Sequence, residues 1–390
     1  MTVFAVSPTT TFPAAQWDIF CQVIDNWGDM GVCWRLARQL ANEHQATVRL
    51  WLDDWERFRP LYPALGRAQP TVLPSTQGHL SVWPWASCQT AHWDETVASV
   101  VVEGFGCHLP TPYLQALQKK PSTRWLVMEY LSAETWVESV HGLASPHPQS
   151  GLMRYFFYPG FTQQTGGLLR EMDLHQRLNN PAHLVDFCTR YHLPPRDQVC
   201  GISLFAYPHA PLAPLLDAWV NNPTPIWVAV PNSAITAPIH AWCGTTSMPA
   251  TLWQRGSLTL QHLPMLPHED YDCLLAWAHL NFVRGEDSFV RAQWAARPMI
   301  WHIYPQAEQA HEEKLAAWLQ RYTTYLAKPS AQVLYQAHQS WNQGQALDWS
   351  SLQAQLSTWQ SASQAWCTHQ AHYPDFAQQL VEFCQTAPNG

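Results

Sequence analysis

Residues 19–40, IFCQVIDNWGDMGVCWRLARQL, contain the pattern that indicates the fold most strongly. The apolar run 19–24 predicts a buried β-strand. The polar segment 25–29 predicts a turn, and apolar residues then recur at helical spacing from about residue 31 to residue 44. A strand, a polar turn and a helix in this order begin a βαβ unit, so we expect an α/β fold built on parallel strands.

The same alternation of short apolar runs and helical segments repeats along the chain. Further strands are predicted at 47–52, 97–102, 125–128, 199–205, 225–230, 258–263, 279–283 and 298–303. Between the two groups, residues 142–181 lose periodicity and are rich in Gly, Pro, Ser and Gln. This composition predicts a long irregular excursion that leads to a domain boundary.

These patterns predict two doubly wound, Rossmann-like α/β domains that face each other across a cleft. The predicted domains are residues 1–182 and residues 183–390. The chain from about residue 308 onward is expected to be helical, with interruptions near Pro329 and Asp348. These last helices could pack back on the first domain.

Composition excludes several functional classes. The 390 residues carry a net charge of −8, which argues against a general nucleic-acid binder. No apolar run approaches the ~20 residues of a membrane span, and no Lys or Arg precedes Arg35, so neither a membrane segment nor a secretory signal is expected. The ten cysteines form no C-x-x-C pair, which favours reduced thiols in the cytoplasm. His and Cys spacing also predicts no metal site.

The first candidate site is the turn after the first predicted strand. It contains Asp25, Asn26, Trp27, Gly28 and Asp29. Two carboxylates flank a glycine that allows close approach of a ligand to the backbone. Helix capping by Asp29 is an equally good explanation of the same pattern.

The second candidate site follows the strand predicted at 279–283. Arg284, Gly285, Glu286, Asp287 and Ser288 combine an arginine, a glycine turn and a helix N-terminus, which is a suitable arrangement for a diphosphate. The alternative is a surface Arg284–Glu286 ion pair beside a capped helix. No G-x-G-x-x-G or G-x-x-x-x-G-K-[ST] motif is present, which argues against NAD-dependent hydride transfer and P-loop hydrolysis.

Aromatic residues mark two further strand ends in the second half. Phe205 and Tyr207 follow one strand, and His268 and Tyr271 follow another. Rings at sheet tips could enclose a flat base, although such residues by themselves more often belong to the core.

Four motifs together resemble one family, the bacterial elongation factor P arginine rhamnosyltransferases (EarP family). They occur in this order along the chain: 20–38 (FCQVIDNWGDMGVCWRLAR), 50–54 (LWLDD), 129–134 (EYLSAE) and 284–291 (RGEDSFVR). One departure is His268, where the family is expected to have a glutamine that faces thymine. Trp27 and Tyr271 occupy positions where phenylalanine is common.

The resemblance implies a GT-B glycosyltransferase that inverts the donor's anomeric centre. It implies dTDP-β-L-rhamnose as the donor, an arginine of elongation factor P as the acceptor, and no metal or cofactor. Asp25, Asp29 and Glu286 would be catalytic, with Glu286 also holding ribose or rhamnose hydroxyls. Substrate-binding positions would be Asn26, Trp27 and Gly28 at the sugar, Phe205, Tyr207, His268 and Tyr271 at the thymine, and Arg284, Gly285, Asp287 and Ser288 at the diphosphate.

Two alternatives remain open at this stage. One is a GT-B enzyme that uses another nucleotide sugar or acceptor. The other is a non-catalytic protein that binds an arginine loop through Asp25 and Asp29.

Overall fold

The computed structural model describes residues 15–23, 28–60, 62, 65–91, 93, 96–244, 252–305 and 310–386. Within these ranges the strands form one eight-stranded and one six-stranded sheet. The first half of the chain supplies the eight-stranded sheet, and the second half supplies the six-stranded sheet. The prediction of two α/β units is therefore confirmed, whereas the division at residues 182 and 183 stays a prediction.

The eight-stranded sheet has a parallel centre and antiparallel edges. Its strands are β1 (Gln16–Cys21), β2 (Thr47–Leu52), β3 (Thr71–Leu73), β4 (His79–Pro84), β5 (Val100–Gly104), β6 (Arg124–Met128), β7 (Ala144–Pro146) and β8 (Met153–Phe157). The order across the sheet is β3-β4-β2-β1-β5-β6-β8-β7, and only β3 and β7 run antiparallel to their neighbours. From β1 the chain adds β2, β4 and β3 on one side of the sheet, and from β5 it adds β6, β8 and β7 on the other side. In open α/β sheets, such a reversal of strand order marks the ligand-binding edge.

The six-stranded sheet repeats this plan. Its strands are β9 (Cys200–Leu204), β10 (Ile226–Pro231), β11 (Leu252–Arg255), β12 (Leu258–Leu263), β13 (Leu280–Arg284) and β14 (Met299–His302). The order is β11-β12-β10-β9-β13-β14, with β11 antiparallel to β12. Here the order reverses between β9 and β13. The carboxyl ends of these two strands lead directly into the predicted aromatic and diphosphate positions.

Helices connect the strands and cover both sheets. They are α1 (Gly28–Glu43), α2 (Trp55–Phe58), α3 (Thr111–Gln118), α4 (Trp136–Val140), α5 (Leu174–Asn179), α6 (Pro181–Tyr191), α7 (Leu212–Val220), α8 (Thr236–Cys243), α9 (His268–Trp277), α10 (Asp287–Ala295), α11 (Ala310–Tyr322), α12 (Lys328–Asn342), α13 (Trp349–Ala371) and α14 (Phe376–Thr386). Short 3₁₀ helices occupy Trp85–Gln89, Arg196–Gln198 and Thr323–Tyr325. No helix in the described part of the chain is both long and apolar enough to cross a lipid bilayer.

Burial explains why the central strands were recognisable in the sequence. All five residues of β5 and all five of β13 are buried. Strands at the centre of a parallel sheet are covered by helices on both faces, so they are apolar without alternation.

The interpretation of residues 142–181 as an irregular excursion is wrong in its first part. Strands β7 and β8 lie there, and β8 pairs in parallel with β6. Gly142 and Gly151 have φ values of +75° and +70°, which suit glycine at the ends of short strands. Strand β7 has no buried residue, and β8 alternates in burial, so neither contains the apolar run that marks the central strands.

The last helix of the chain packs against the first sheet. Phe376, Ala377 and Leu380 of α14 are buried in the same hydrophobic cluster as residues of α1, β1 and β2. Earlier in this region Pro329 lies in the first turn of α12, where its missing N–H leaves no helical hydrogen bond unmade. The C-terminal helices thus contact both halves of the protein.

Candidate active site

Two neighbouring cavities lie where the carboxyl ends of the two sheets face each other. The first has a volume of about 610 Å³ and the second a volume of about 640 Å³. Gly28 of the first half and Gly285 of the second half line both of them. We call the first the aromatic cavity; its lining also includes Phe205, Pro231, Met265, Leu266, His268, Tyr271, Arg284, Asp287 and Ser288. We call the second the acidic cavity; its lining also includes Asp29, Tyr130, Leu131, Glu286, Trp301, Ile303, Tyr304 and Lys314.

Asp29 is positioned by the start of α1. This helix begins at Gly28, so Asp29 lies within its first turn rather than before it. The side chain is 3% exposed and contributes to the acidic cavity. A carboxylate in the first helical turn is stabilised by the helix dipole, which favours its charged form. Asp25, Asn26 and Trp27 lie outside the described residues, so their predicted roles stay predictions.

The turn between β13 and α10 brings the second candidate site together. The strand ends at Arg284 and the helix begins at Asp287, so only Gly285 and Glu286 connect them. Gly285 has a φ of +58°, a conformation that glycine adopts without strain. The Ser288 hydroxyl accepts a hydrogen bond from the Arg284 amide at 3.0 Å. The turn therefore presents the first amide groups of α10 to the aromatic cavity.

Arg284 is held between aromatic rings rather than at the surface. Its side chain is 6% exposed, which excludes the surface ion pair that the sequence left open. Its guanidinium carbon lies 4.4 Å from the Phe205 ring centre and 4.9 Å from the Tyr207 ring centre. Stacking on two rings restrains the position of the guanidinium. The arrangement is compatible with the predicted role at a diphosphate.

Two aromatic rings and a buried imidazole line the aromatic cavity. The rings of Phe205 and Tyr271 meet at 5.9 Å and 64°. His268 is buried beside them, and its Nδ1 atom has no hydrogen-bond partner among the described residues. Burial, and next the charges of Arg35 and Arg38, lower the pKa of His268 well below its ordinary value. A neutral imidazole thus lines the aromatic cavity.

Tyr207 occupies a different position from the other predicted base-binding residues. It is buried behind Arg284 and is absent from the described lining of the aromatic cavity. Its amide donates a 3.3 Å hydrogen bond to Nδ1 of His302. Burial lowers the pKa of His302 to about 3, so this ring stays neutral and can accept that bond. The predicted contact of Tyr207 with thymine remains untested, whereas its contact with Arg284 is direct.

Glu286 points away from the aromatic cavity and toward the first half of the protein. Its Oε2 atom accepts a 3.0 Å hydrogen bond from the amide of Leu131. This bond places the carboxylate in the acidic cavity, together with Asp29. Two carboxylates from different halves thus line one space beside the turn between β13 and α10, which is a suitable site for a cationic group.

Asp287 makes a contact that the sequence did not predict. Its Oδ1 atom accepts a 2.7 Å hydrogen bond from Nε of Arg35, which lies on α1 in the other half. The side chain lines the edge of the aromatic cavity, but one carboxylate oxygen is held by a partner in the protein. A role for Asp287 in binding phosphate therefore stays a prediction.

Sequence reasoning missed three polar residues of the cleft. Arg35 contacts Asp287, while Tyr130 and Lys314 line the acidic cavity, with the Lys314 ammonium 5.4 Å from the Tyr130 ring centre. Tyr130 directly follows Glu129 at the end of a predicted strand, so its position in the sequence could have identified it as a residue of the cleft. Lys314 lies in the middle of α11, and nothing in its local sequence indicates a cleft residue.

Similarity to known proteins defines the family. A family model described as "Elongation-Factor P (EF-P) rhamnosyltransferase EarP" matches residues 17–385. The chain belongs to the EarP family. A protein-arginine rhamnosyltransferase of Pseudomonas putida is 43% identical over 382 residues, which cover 95% of this chain and 98% of that protein. One from Pseudomonas aeruginosa is 41% identical with the same coverage.

A solved structure of an EarP protein supports the same assignment. It is described as "Structural basis for EarP-mediated arginine glycosylation of translation elongation factor EF-P". It is 30% identical, superposes with a TM-score of 0.64, and covers 96% of this chain and 100% of the solved chain. The predictions of an EarP-family glycosyltransferase and of a GT-B architecture with two Rossmann-like domains are thus confirmed.

Proposed function

We propose that this protein transfers L-rhamnose from dTDP-β-L-rhamnose to an arginine of elongation factor P. The observation that carries the proposal is the junction of the two cavities. The aromatic cavity contains aromatic rings, Arg284 and the N-terminus of α10. It meets the acidic cavity, which Asp29 and Glu286 line, at Gly28 and Gly285. The relatives named protein-arginine rhamnosyltransferases support the same reaction. Because the acceptor is a translation factor, the reaction would take place in the cytoplasm.

The donor would occupy the aromatic cavity. Thymine would lie against Phe205 and Tyr271, with the neutral ring of His268 at its polar edge. The diphosphate would lie at the N-terminus of α10, where Arg284 and the first amide groups of the helix provide positive charge. This placement directs the rhamnose toward Gly285 and the acidic cavity.

The acceptor guanidinium would occupy the acidic cavity between Asp29 and Glu286. Free arginine has a pKa above ~12 and is not nucleophilic while its charge is delocalised. Carboxylates on two sides localise the charge and accept the proton that leaves during the attack. A guanidinium nitrogen then forms a bond to the anomeric carbon as the bond to the dTDP oxygen breaks, which inverts that centre. Asp25 stays a second candidate for the proton acceptor.

Leaving-group stabilisation is proposed to need no metal ion. Arg284 and the helix dipole of α10 lie where negative charge develops on dTDP. In the described residues, no three His, Cys, Asp or Glu side chains are grouped as a metal site would require. We therefore expect rhamnose transfer to continue in excess EDTA without added magnesium. Loss of transfer on chelation and its return with magnesium would contradict this prediction.

Arg284→Met is expected to weaken the binding of dTDP and of dTDP-rhamnose equally. Loss of a hydrogen bond to a charged group costs roughly 1.5–3 kcal/mol, which corresponds to about 10- to 100-fold in Kd. Isothermal titration calorimetry measures both affinities. Arg255→Met is the matched control, because Arg255 is an exposed residue of β11 in the same half. Equal dTDP affinity in wild type and Arg284→Met would remove Arg284 from the phosphate site.

The experiment that tests the proposed function is nucleotide release. The protein is incubated with dTDP-rhamnose in the presence and absence of elongation factor P, and free dTDP is measured. We expect release that depends on elongation factor P, and thermal stabilisation by dTDP but not by UDP or GDP. Stabilisation by another nucleotide instead would indicate a different donor. Stable binding of elongation factor P without dTDP release would indicate a non-catalytic binding protein.

A further inference from the structure

A buried ionic network joins the two halves, and one of its members, Asp287, lines the aromatic cavity. Its centre is Arg35 of α1, whose side chain is 4% exposed. Arg35 Nε donates to Asp287 Oδ1 at 2.7 Å, Nη2 donates to Asp272 Oδ1 at 3.4 Å, and Nη1 donates to Glu171 Oε1 at 3.5 Å. Asp272 lies on α9 and Asp287 on α10, so one guanidinium links the first half to two helices of the second.

A second buried arginine, Arg291, belongs to the same network, and Arg177 lies 3.8 Å from Asp272 Oδ2. Arg291 of α10 is 1% exposed and binds both oxygens of Asp272, with its Nε and Nη2 at 2.9 and 2.7 Å. Its Nη1 donates to Glu171 Oε2 at 2.6 Å. Burial alone would raise the pKa of Glu171, but Arg291 and Arg35 hold it well below its ordinary value. The carboxylate of Glu171 therefore remains charged.

The network connects the two helices that carry the proposed catalytic carboxylates. Asp29 lies in the first turn of α1, the same helix as Arg35. Glu286 immediately precedes Asp287, the first residue of α10. The two helices also touch at Gly31, where an added Cβ would lie 3.1 Å from Cγ of Asp287. The Arg35–Asp287 pair therefore lies at a direct contact between α1 and α10, and the Leu131–Glu286 hydrogen bond is a second described contact that connects Glu286 to the first half.

We propose that Arg35 is a positioning residue that sets the separation of Asp29 and Glu286, and that holding Arg35 is the main role of Asp287. This inference rests on the proposed catalytic role of the two carboxylates. Without Arg35, α1 and α10 would lose the hydrogen bond between Arg35 and Asp287 that joins them. The donor site would persist, because Arg284 and Ser288 are bonded to each other within the second half.

Burial distinguishes this pair from another ion pair between the halves. Arg38 of α1 binds Glu269 of α9 at 2.5 Å, but these side chains are 36% and 47% exposed. Exposed pairs contribute little to stability and are easily replaced by water. The charged groups of a buried pair are costly to remove from water, and removal of one partner leaves the charge of the other uncompensated in the protein interior. The Arg35 contacts therefore depend on a specific geometry, because both halves supply the carboxylates that compensate its buried charge.

The test compares Arg35→Met, Arg35→Lys and Asp287→Asn with the control Arg49→Met. Arg49 binds buried Asp18 with two hydrogen bonds of 2.6 Å, entirely within the first half. Arg49 is 21% exposed, and Asp18 also accepts hydrogen bonds from Trp51 and Tyr113, so the control removes a partly buried arginine while its carboxylate partner stays hydrogen-bonded. The measurements are kcat, the Kd of dTDP, and the radius of gyration from small-angle X-ray scattering.

We expect Arg35→Met to lower kcat about 100-fold, because a displacement of about 1 Å between catalytic groups has effects of that size. The Kd of dTDP should change less than about threefold, since the Arg284 charge remains at the phosphate site. The radius of gyration should increase. Asp287→Asn should behave similarly, and Arg35→Lys should recover part of kcat because its ammonium can still reach Asp287. Arg49→Met should retain kcat and the radius of gyration.

Each outcome bears on the proposal. An equal fall of kcat in Arg35→Met and Arg49→Met would assign Arg35 a general structural role and overturn the inference. A large rise in the Kd of dTDP for Asp287→Asn, with kcat unchanged, would return Asp287 to the phosphate site and also overturn it. The scattering and dTDP measurements need no acceptor. An absence of rhamnose transfer by the wild type would therefore contradict the proposed function and leave the test of the Arg35 contact intact.

Discussion

Asp29→Asn is expected to lower kcat by about 10²–10⁴-fold, the usual effect of removing a general base. The amide keeps the size of the side chain but cannot accept the proton of the acceptor guanidinium. Because Asp29 lines the acidic cavity and not the aromatic one, the Kd of dTDP should remain close to that of the wild type. Steady-state kinetics with elongation factor P and calorimetry with dTDP measure the two effects separately.

Asp54→Asn is the matched control for this variant. Asp54 caps α2 in the same half by accepting a hydrogen bond from the Arg57 amide. Asn is an equally good capping residue, so its kcat should be unchanged. If Asp29→Asn also keeps kcat within about threefold of wild type, Asp29 only stabilises the start of α1 and is not the general base.

Glu286→Gln is expected to lower kcat/KM for elongation factor P by about 10²–10³-fold, the usual cost of losing one preorganised electrostatic contact in a transition state. Glutamine retains an oxygen that can accept the hydrogen bond from the Leu131 amide, so the turn should keep its conformation. Only the negative charge facing the proposed guanidinium and the developing positive charge of the sugar is removed. Affinity for dTDP should not fall, because the phosphate site loses no positive charge.

Glu138→Gln is the control for this second variant. Glu138 binds Arg321 at 3.0 Å, and both side chains are partly exposed and outside the two cavities. Its kinetic constants should match those of the wild type. A normal kcat/KM for Glu286→Gln would show that the acidic cavity does not depend on the charge of Glu286, and the acceptor would have to bind elsewhere.

The central strands were predictable because buried strands consist of continuous runs of apolar residues, which are visible in the sequence. β2 and β12 have the predicted bounds, and the predicted strand at 279–283 differs from β13 by one residue at each end. Strands β3, β4, β7, β8 and β11 were missed. β3 and β7 have three residues each, and several of the missed strands have exposed positions, so no continuous apolar run marks them.

The site was predictable to the extent that it depends on strand ends. Arg284 ends β13, Gly285 and Phe205 directly follow parallel strands, and such positions meet at one edge of a sheet. The contacts of Arg35 and Lys314 depend on how the two halves approach each other. That approach is determined by packing between distant segments, which no local pattern encodes. Asp287 illustrates the difference, because its location was predicted whereas its partner in the other half was not.

The central claim is tested most directly by the intact mass of elongation factor P after incubation with this protein and dTDP-rhamnose. We expect the mass to increase by one deoxyhexose residue, with fragmentation placing the addition on an arginine. Elongation factor P in which that arginine is replaced by lysine should keep its original mass. An unchanged mass of the wild-type acceptor, or an addition that persists in the lysine variant, would contradict the account.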